Sequence, residues 1–155
     1  MAVMILVRGL PDSGKSTYAK RVAANLNESY VQRGEGMARV FEADQFFTAE
    51  DGTYTYDRSK VKEAHEDCQR RVREFIEAGG TDAIVANTFT REWEIAPYRQ
   101  IAEETGSMLF IIRVEASYGN VHGVPREKIE EMAARFEDIQ GEVRESLLHV
   151  PYEFL

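Results

Sequence analysis

Cysteine is nearly absent: Cys68 is the only one in 155 residues. A single thiol excludes an intrachain disulfide and any metal site built from several cysteines. Positive charge is also scarce. Lysine and arginine number 19 against 27 acidic residues, for a net charge of −8. That balance argues against a chain that coats nucleic acid through a broad basic face, while leaving room for a local pocket that grips one strand end. Long hydrophobic runs are missing as well. The apolar run at residues 2–7 is far short of the ~20 residues that span a bilayer, and no basic stretch or cleavage signal accompanies it. The chain is expected to be cytoplasmic, with no membrane partner. It shows neither internal repeats nor low-complexity segments.

What is present suits one compact domain over residues 1–155, with 43% apolar and 30% charged residues. Residues 2–7 read as a strand covered on both faces. Gly9–Gly14 reads as a loop, and a helix is expected from Lys15 to about Leu26, where Tyr18, Val22 and Leu26 recur at helical spacing. A second strand is expected at 38–43, ending at Asp44. The loop after it carries Phe46, Phe47, Tyr54 and Tyr56, which are expected to pack it onto the domain. A helix follows at 57–78, with Asp57 as N-cap and Gly79-Gly80 as its stop. Residues 83–86 form a third strand, and 92–105 a helix with Trp93 in the core. Residues 108–114 form a fourth strand, and a last helix runs over about 125–148 with Pro125 in its first turn. The alternating charges of that last helix read as a solvated face. Strands alternating with helices predict an α/β domain: an open parallel sheet of four or five strands with helices on both faces. Ligands bind such sheets beyond the carboxyl ends of the strands. Gly9, Asp44 and Asn87 all fall there.

Gly9-Leu10-Pro11-Asp12-Ser13-Gly14-Lys15-Ser16-Thr17 matches G-x-x-x-x-G-K-[ST]. Each part has a physical reason. The glycines let successive backbone N–H groups turn inward towards a β-phosphate, reinforced by the N-terminus of the next helix. Lys15 brings a mobile charge to the β- and γ-phosphates, Ser16 offers a hydroxyl to Mg²⁺, and Thr17 is placed near the α-phosphate. A strand before the motif and a helix after it complete the setting the motif needs. The expectation is a P-loop NTPase-type site that binds ATP with Mg²⁺.

Other candidates surround it. Asp44 either takes the proton of an attacking hydroxyl or caps the turn into Gln45; position alone does not separate the two. Asn87 and Thr88 either touch substrate or shape the strand-to-helix turn. Ala86 and Asn87 leave the third strand end without a carboxylate. His122, in a glycine-flanked loop, and Arg126 suggest a lid around 117–126, although a lone loop histidine is more often structural. His65 and His149 read as ordinary surface or half-buried residues. Arg70, Arg71 and Arg73 alternate with acids on the long helix and read as an ion-paired face.

Several stretches together resemble the P-loop polynucleotide kinase family: GLPDSGKST (9–17), FEADQFF (41–47), YDRSKVKEAHEDCQRRVRE (56–74), VANTFTREWEIAPY (85–98) and NVHGVPREKIEEMAARFE (120–137). The resemblance covers most of the chain, in order. It implies transfer of the ATP γ-phosphate to a 5′-hydroxyl of DNA or RNA. It also implies that Asp44 is the general base, with Lys15 and Ser16 as the phosphate and metal contacts. Ala86 and Phe89 stand where that family usually has an acid and a second asparagine, and Gly119 stands near the place of its lid arginine. Two other readings remain on the same scaffold: a kinase for a small metabolite or nucleoside, and an ATP-binding module with little catalysis.

Overall fold

A computed structural model describes residues 1–11, 13–115 and 124–145. Its frame is a five-stranded, all-parallel sheet in the order β2-β3-β1-β4-β5. The strands are β1 (Val3–Arg8), β2 (Ala38–Phe41), β3 (Asp82–Asn87), β4 (Met108–Val114) and β5 (Val143–Glu145). β1 lies in the middle, paired with β3 on one side (Arg8 beside Asn87) and β4 on the other (Arg8 beside Arg113). Every residue of β3 is buried, as an unbroken run in an interior strand requires.

Alternation along β1 assigns the two faces. Met4 and Leu6 pack with Ala83, Val85 and Ile111 under α2 (Val61–Glu77) and α3 (Glu92–Thr105). Val7 packs with Ile84, Ala86 and Val114 under α1 (Lys15–Arg33). The buried residues of α2, namely Ala64, Cys68, Val72, Phe75 and Ile76, recur at the spacing that puts one helix stripe on the sheet. Helices therefore cover both faces, as expected. Among the described residues, no helix is long and apolar enough to cross a membrane.

Three expectations need correction. α1 continues past Leu26 to Arg33, because Tyr30 still packs on the core and the turn closes only at Gly34, whose φ is 76°. Trp93 is 69% exposed. The buried stripe of α3 is Ile95, Tyr98, Ile101 and Ala102, and position 93 lies about 200° round the helix from 95. The last helix is the largest departure. α4 spans only Arg126–Ala134, and the chain then turns into β5. Phe136 leaves the helix path to lie against two guanidiniums, its ring centre 4.0 Å from that of Arg8 and 4.6 Å from that of Arg113. Ile139 buries itself in the core, and Gly141, at φ 82°, completes the turn. Tertiary contacts override the helical charge pattern here. Only the 126–134 part keeps the expected solvated pairs, Arg126–Glu130 and Lys128–Glu131.

Candidate active site

The loop between β1 and α1 is built from backbone. Gly14 adopts φ 88°, a region that favours glycine. A Cβ on Gly9 would lie 2.4 Å from Ser13 Oγ and 2.9 Å from the Val114 carbonyl oxygen, so that position tolerates no side chain. Gly9 N–H donates to the Thr88 carbonyl at 3.3 Å and Ser13 N–H to the Leu10 carbonyl at 3.1 Å. Lys15 Nζ also donates to Leu10 O, at 3.4 Å. α1 starts with no side-chain cap and no acidic residue in its first turn, and Ser13 Oγ is buried without a hydrogen-bond partner. A helix N-terminus without a side-chain cap and an orphaned buried hydroxyl at one mouth fit an oxyanion such as a polyphosphate. Pro11 and Ser16 are half-buried in and beside this loop, Thr17 is exposed, and Asp12 lies outside the described residues. Among the described residues, no group of three His, Cys, Asp or Glu side chains could hold a metal.

The side facing it is built from side chains. β2 runs into a 3₁₀ turn, Ala43–Phe47, opened by a capping box between Glu42 and Gln45. Asp44 is exposed on this turn. Asn87, at the end of β3 and only 7% exposed, accepts the Ala43 N–H through Oδ1 at 2.9 Å. Its Nδ2 faces Cys68 Sγ at 3.9 Å. Asn87 therefore spends its amide on positioning the turn that carries Asp44. Arg71 braces the same turn, donating to Gln45 Oε1 at 2.5 Å and the Glu42 carbonyl at 2.9 Å. The buried Phe47 ring anchors the loop through edge contacts with Phe46, Tyr54 and Tyr56, though those last three remain exposed. Burial pushes the Cys68 thiol up, away from nucleophilic use.

Thr88 is half-buried, and its carbonyl holds Gly9 in place. Phe89 follows at φ 46°, a left-handed conformation unusual for a bulky residue. Arg8 holds it there. This arginine is 0% exposed, donates to the Phe89 carbonyl through Nε (2.9 Å) and Nη2 (2.7 Å), and pairs with Glu142 at 2.5 Å. The buried Thr90 gives its N–H to Glu94 at 2.6 Å, while its Oγ1 accepts from Arg135 Nε at 3.4 Å. Glu94 and Asp44 both act electrostatically on the half-buried His65, whose pKa burial lowers and those acids oppose. None of Arg8, Glu94, Thr90 or His65 was singled out for a site role from sequence. The available signal was a charge, Arg8, at the end of an otherwise apolar strand. Of the lid residues, 117–123, including His122, lie outside the described residues. Arg126 is exposed and pairs with Glu130 at 3.1 Å.

Residues 4–122 match the family described as AAA domain. The chain belongs to this AAA domain family. The match begins in β1 and continues past the end of β4. The AAA domain is 31% identical over 144 residues to human NEDD4-binding protein 2, covering 87% of this chain but 8% of that protein. It thus spans less than a tenth of that relative. Kti12 of Chaetomium thermophilum in complex with ADP-AlF3 superposes with a TM-score of 0.68 at 13% identity, covering 97% of this chain and 92% of that one. Mycobacterium tuberculosis APS kinase CysC in complex with AMPPNP and APS gives 0.59 at 13% identity, covering 94% and 88%. At such identities the likeness is one of fold. This AAA domain has a P-loop kinase-like fold.

Proposed function

We propose that the chain is an ATP-dependent phosphotransferase that moves the γ-phosphate to a 5′-hydroxyl of DNA or RNA. The observation that carries this is a rigid frame between loop and base. Asn87 holds the turn bearing the exposed Asp44 at 2.9 Å, and the next residue, Thr88, holds Gly9 of the loop at 3.3 Å. The turn that carries Asp44 and the start of the loop after β1 are thus both tied to the end of one strand. The 5′-hydroxyl as acceptor rests on the resemblance to the polynucleotide kinase family.

In this mechanism the Gly14 amide and the α1 N-terminus hold the β-phosphate, and Lys15 donates to the β- and γ-phosphate oxygens. Bound Mg²⁺, met by Ser16, supplies neutralisation of phosphate charge. Asp44 orients the acceptor hydroxyl and accepts its proton. The acceptor oxygen bonds to the γ-phosphorus, the bond from that phosphorus to the β–γ bridging oxygen breaks, and ADP leaves. The acceleration comes from positioning and electrostatics.

Incubation with γ-labelled ATP and 5′-hydroxyl oligonucleotides is expected to label the 5′ end. A second reading, a small-metabolite kinase, draws on the net charge of −8 and the fold shared with APS kinase. Label appearing on small hydroxyl compounds and never on oligonucleotides would replace the first reading with the second. ATP binding without transfer to any acceptor would remove both.

A further inference from the structure

Beside the turn that carries Asp44 lies an open cleft of about 710 Å³ between β2 and the C-terminal half of α2, walled by Arg39, Phe41, Gln45, Arg71, Glu74 and Phe75. Among the described residues, none of the loop after β1 lines it. One of its lining residues is Gln45, on the same turn as Asp44, so it opens next to the turn that carries the proposed base.

β2 is the outermost strand of the sheet, and a bare outer edge would accept a peptide as an added strand. Here side chains close that edge. Asn27 donates to the Ala38 carbonyl at 2.9 Å and accepts the Ala38 N–H at 2.8 Å, and Gln45 Nε2 donates to the Val40 carbonyl at 3.4 Å. What remains for a ligand is a wall of side chains. Arg39 is exposed, its guanidinium lies 5.1 Å from the ring centre of Phe75, and among the described residues it has no ion pair. Arg71 is fixed 5.9 Å from the ring centre of Phe41. Glu74, the acid on the wall, is engaged by Arg70 at 2.9 Å, and Arg71 is engaged by Asp67 at 2.7 Å, which leaves Arg39 as the surplus charge. A planar cation backed by an aromatic floor offers both a stacking face for bases and forked donors for phosphates.

We propose that this cleft receives the body of a single-stranded nucleic acid whose 5′ end lies at Asp44. The proposal rests on the polynucleotide reading above, and it places the strand contact on an otherwise acidic chain at one local cationic wall.

The test compares two acceptors in wild type and Arg39→Glu: a 5′-hydroxyl strand of about 12 nucleotides and a nucleoside 3′-monophosphate. In Arg39→Glu, the KM for the strand is expected to rise about tenfold, and the salt slope of strand binding to fall by about one. The KM for the one-nucleotide acceptor is expected to move less than about twofold, because that acceptor does not reach the cleft. Arg39→Lys keeps charge without the stacking plane and is expected to fall between. Equal shifts for both acceptors, or no shift for either, would overturn the proposal. If neither acceptor is phosphorylated, the function reading fails, and binding of the fluorescein-labelled strand without ATP decides the cleft separately. Binding lost in Arg39→Glu retains it; binding unchanged, or absent in wild type, removes it.

Discussion

The proposed phosphate loop and the proposed acceptor side sit at the same end of the parallel sheet but are made differently. The loop is backbone: Gly14 and the start of α1, which has no side-chain cap, shape it, and a side chain at Gly9 would collide within the loop. The acceptor side is side-chain carpentry. Asp44 owes its place to Asn87, Arg71 and the Phe47 anchor, which come from β3, α2 and the turn itself. A backbone site specifies how a phosphate is held, and a side-chain frame specifies what stands in line with it. The two should therefore fail in different ways.

The largest effect is expected at the loop. Lys15→Ala should lower kcat/KM by about 10³-fold, through lost phosphate charge stabilisation together with lost ATP binding. Circular dichroism should stay that of the wild type. Next comes Asp44→Asn, which should lower kcat by about 10²-fold while ATP affinity, measured calorimetrically, moves less than about twofold. Equal losses of ATP affinity and kcat would erase the distinction between the two sides. Asn87→Leu should sharpen it. The Ala43 N–H loses its buried acceptor, so stability should drop by about 1–3 kcal/mol in denaturant titration. The accompanying fall in kcat should be about tenfold, smaller than that of Asp44→Asn.

The smallest effect concerns His65. Burial lowers its pKa in the folded chain, so the unfolded chain takes up this proton first as pH drops below about 6.5. Wild type should lose stability from about pH 7 downwards until the folded histidine also protonates, and His65→Gln should lose less over that window in melting curves. An unchanged slope would mean that burial does not lower the His65 pKa.

The same division explains what could be read in advance. The loop was legible from Gly9 to Thr17 because backbone conformation leaves its mark as glycine at fixed spacing. The strands were legible because residues 108–114 and 83–86 are apolar runs in a charged chain, and α3 because Gly106 closes it at φ 67°. The acceptor side was not. Asn87 pairs with a residue 44 positions away, and no local pattern records that partnership. The end of α4 was misread for a similar reason. Residues 135–145 carry helix-like charges, yet Phe136, Ile139 and Glu142 answer to partners on β1, β4 and the core. Phe89 carried a faint clue, being an aromatic where the backbone turns left-handed, and its stabiliser lies 81 residues back.

The ion pair between Arg8 and Glu142 joins residues 134 positions apart. A chain leaving the ribosome releases the first strand and its glycine loop early, but the charge beside that loop has no carboxylate to meet until the last described strand is about to emerge. Leaving a guanidinium buried without its counterion is severely unfavourable, so the nascent sheet has reason to stay open at that corner. The corner beside the loop would thus close only after Glu142 has been made.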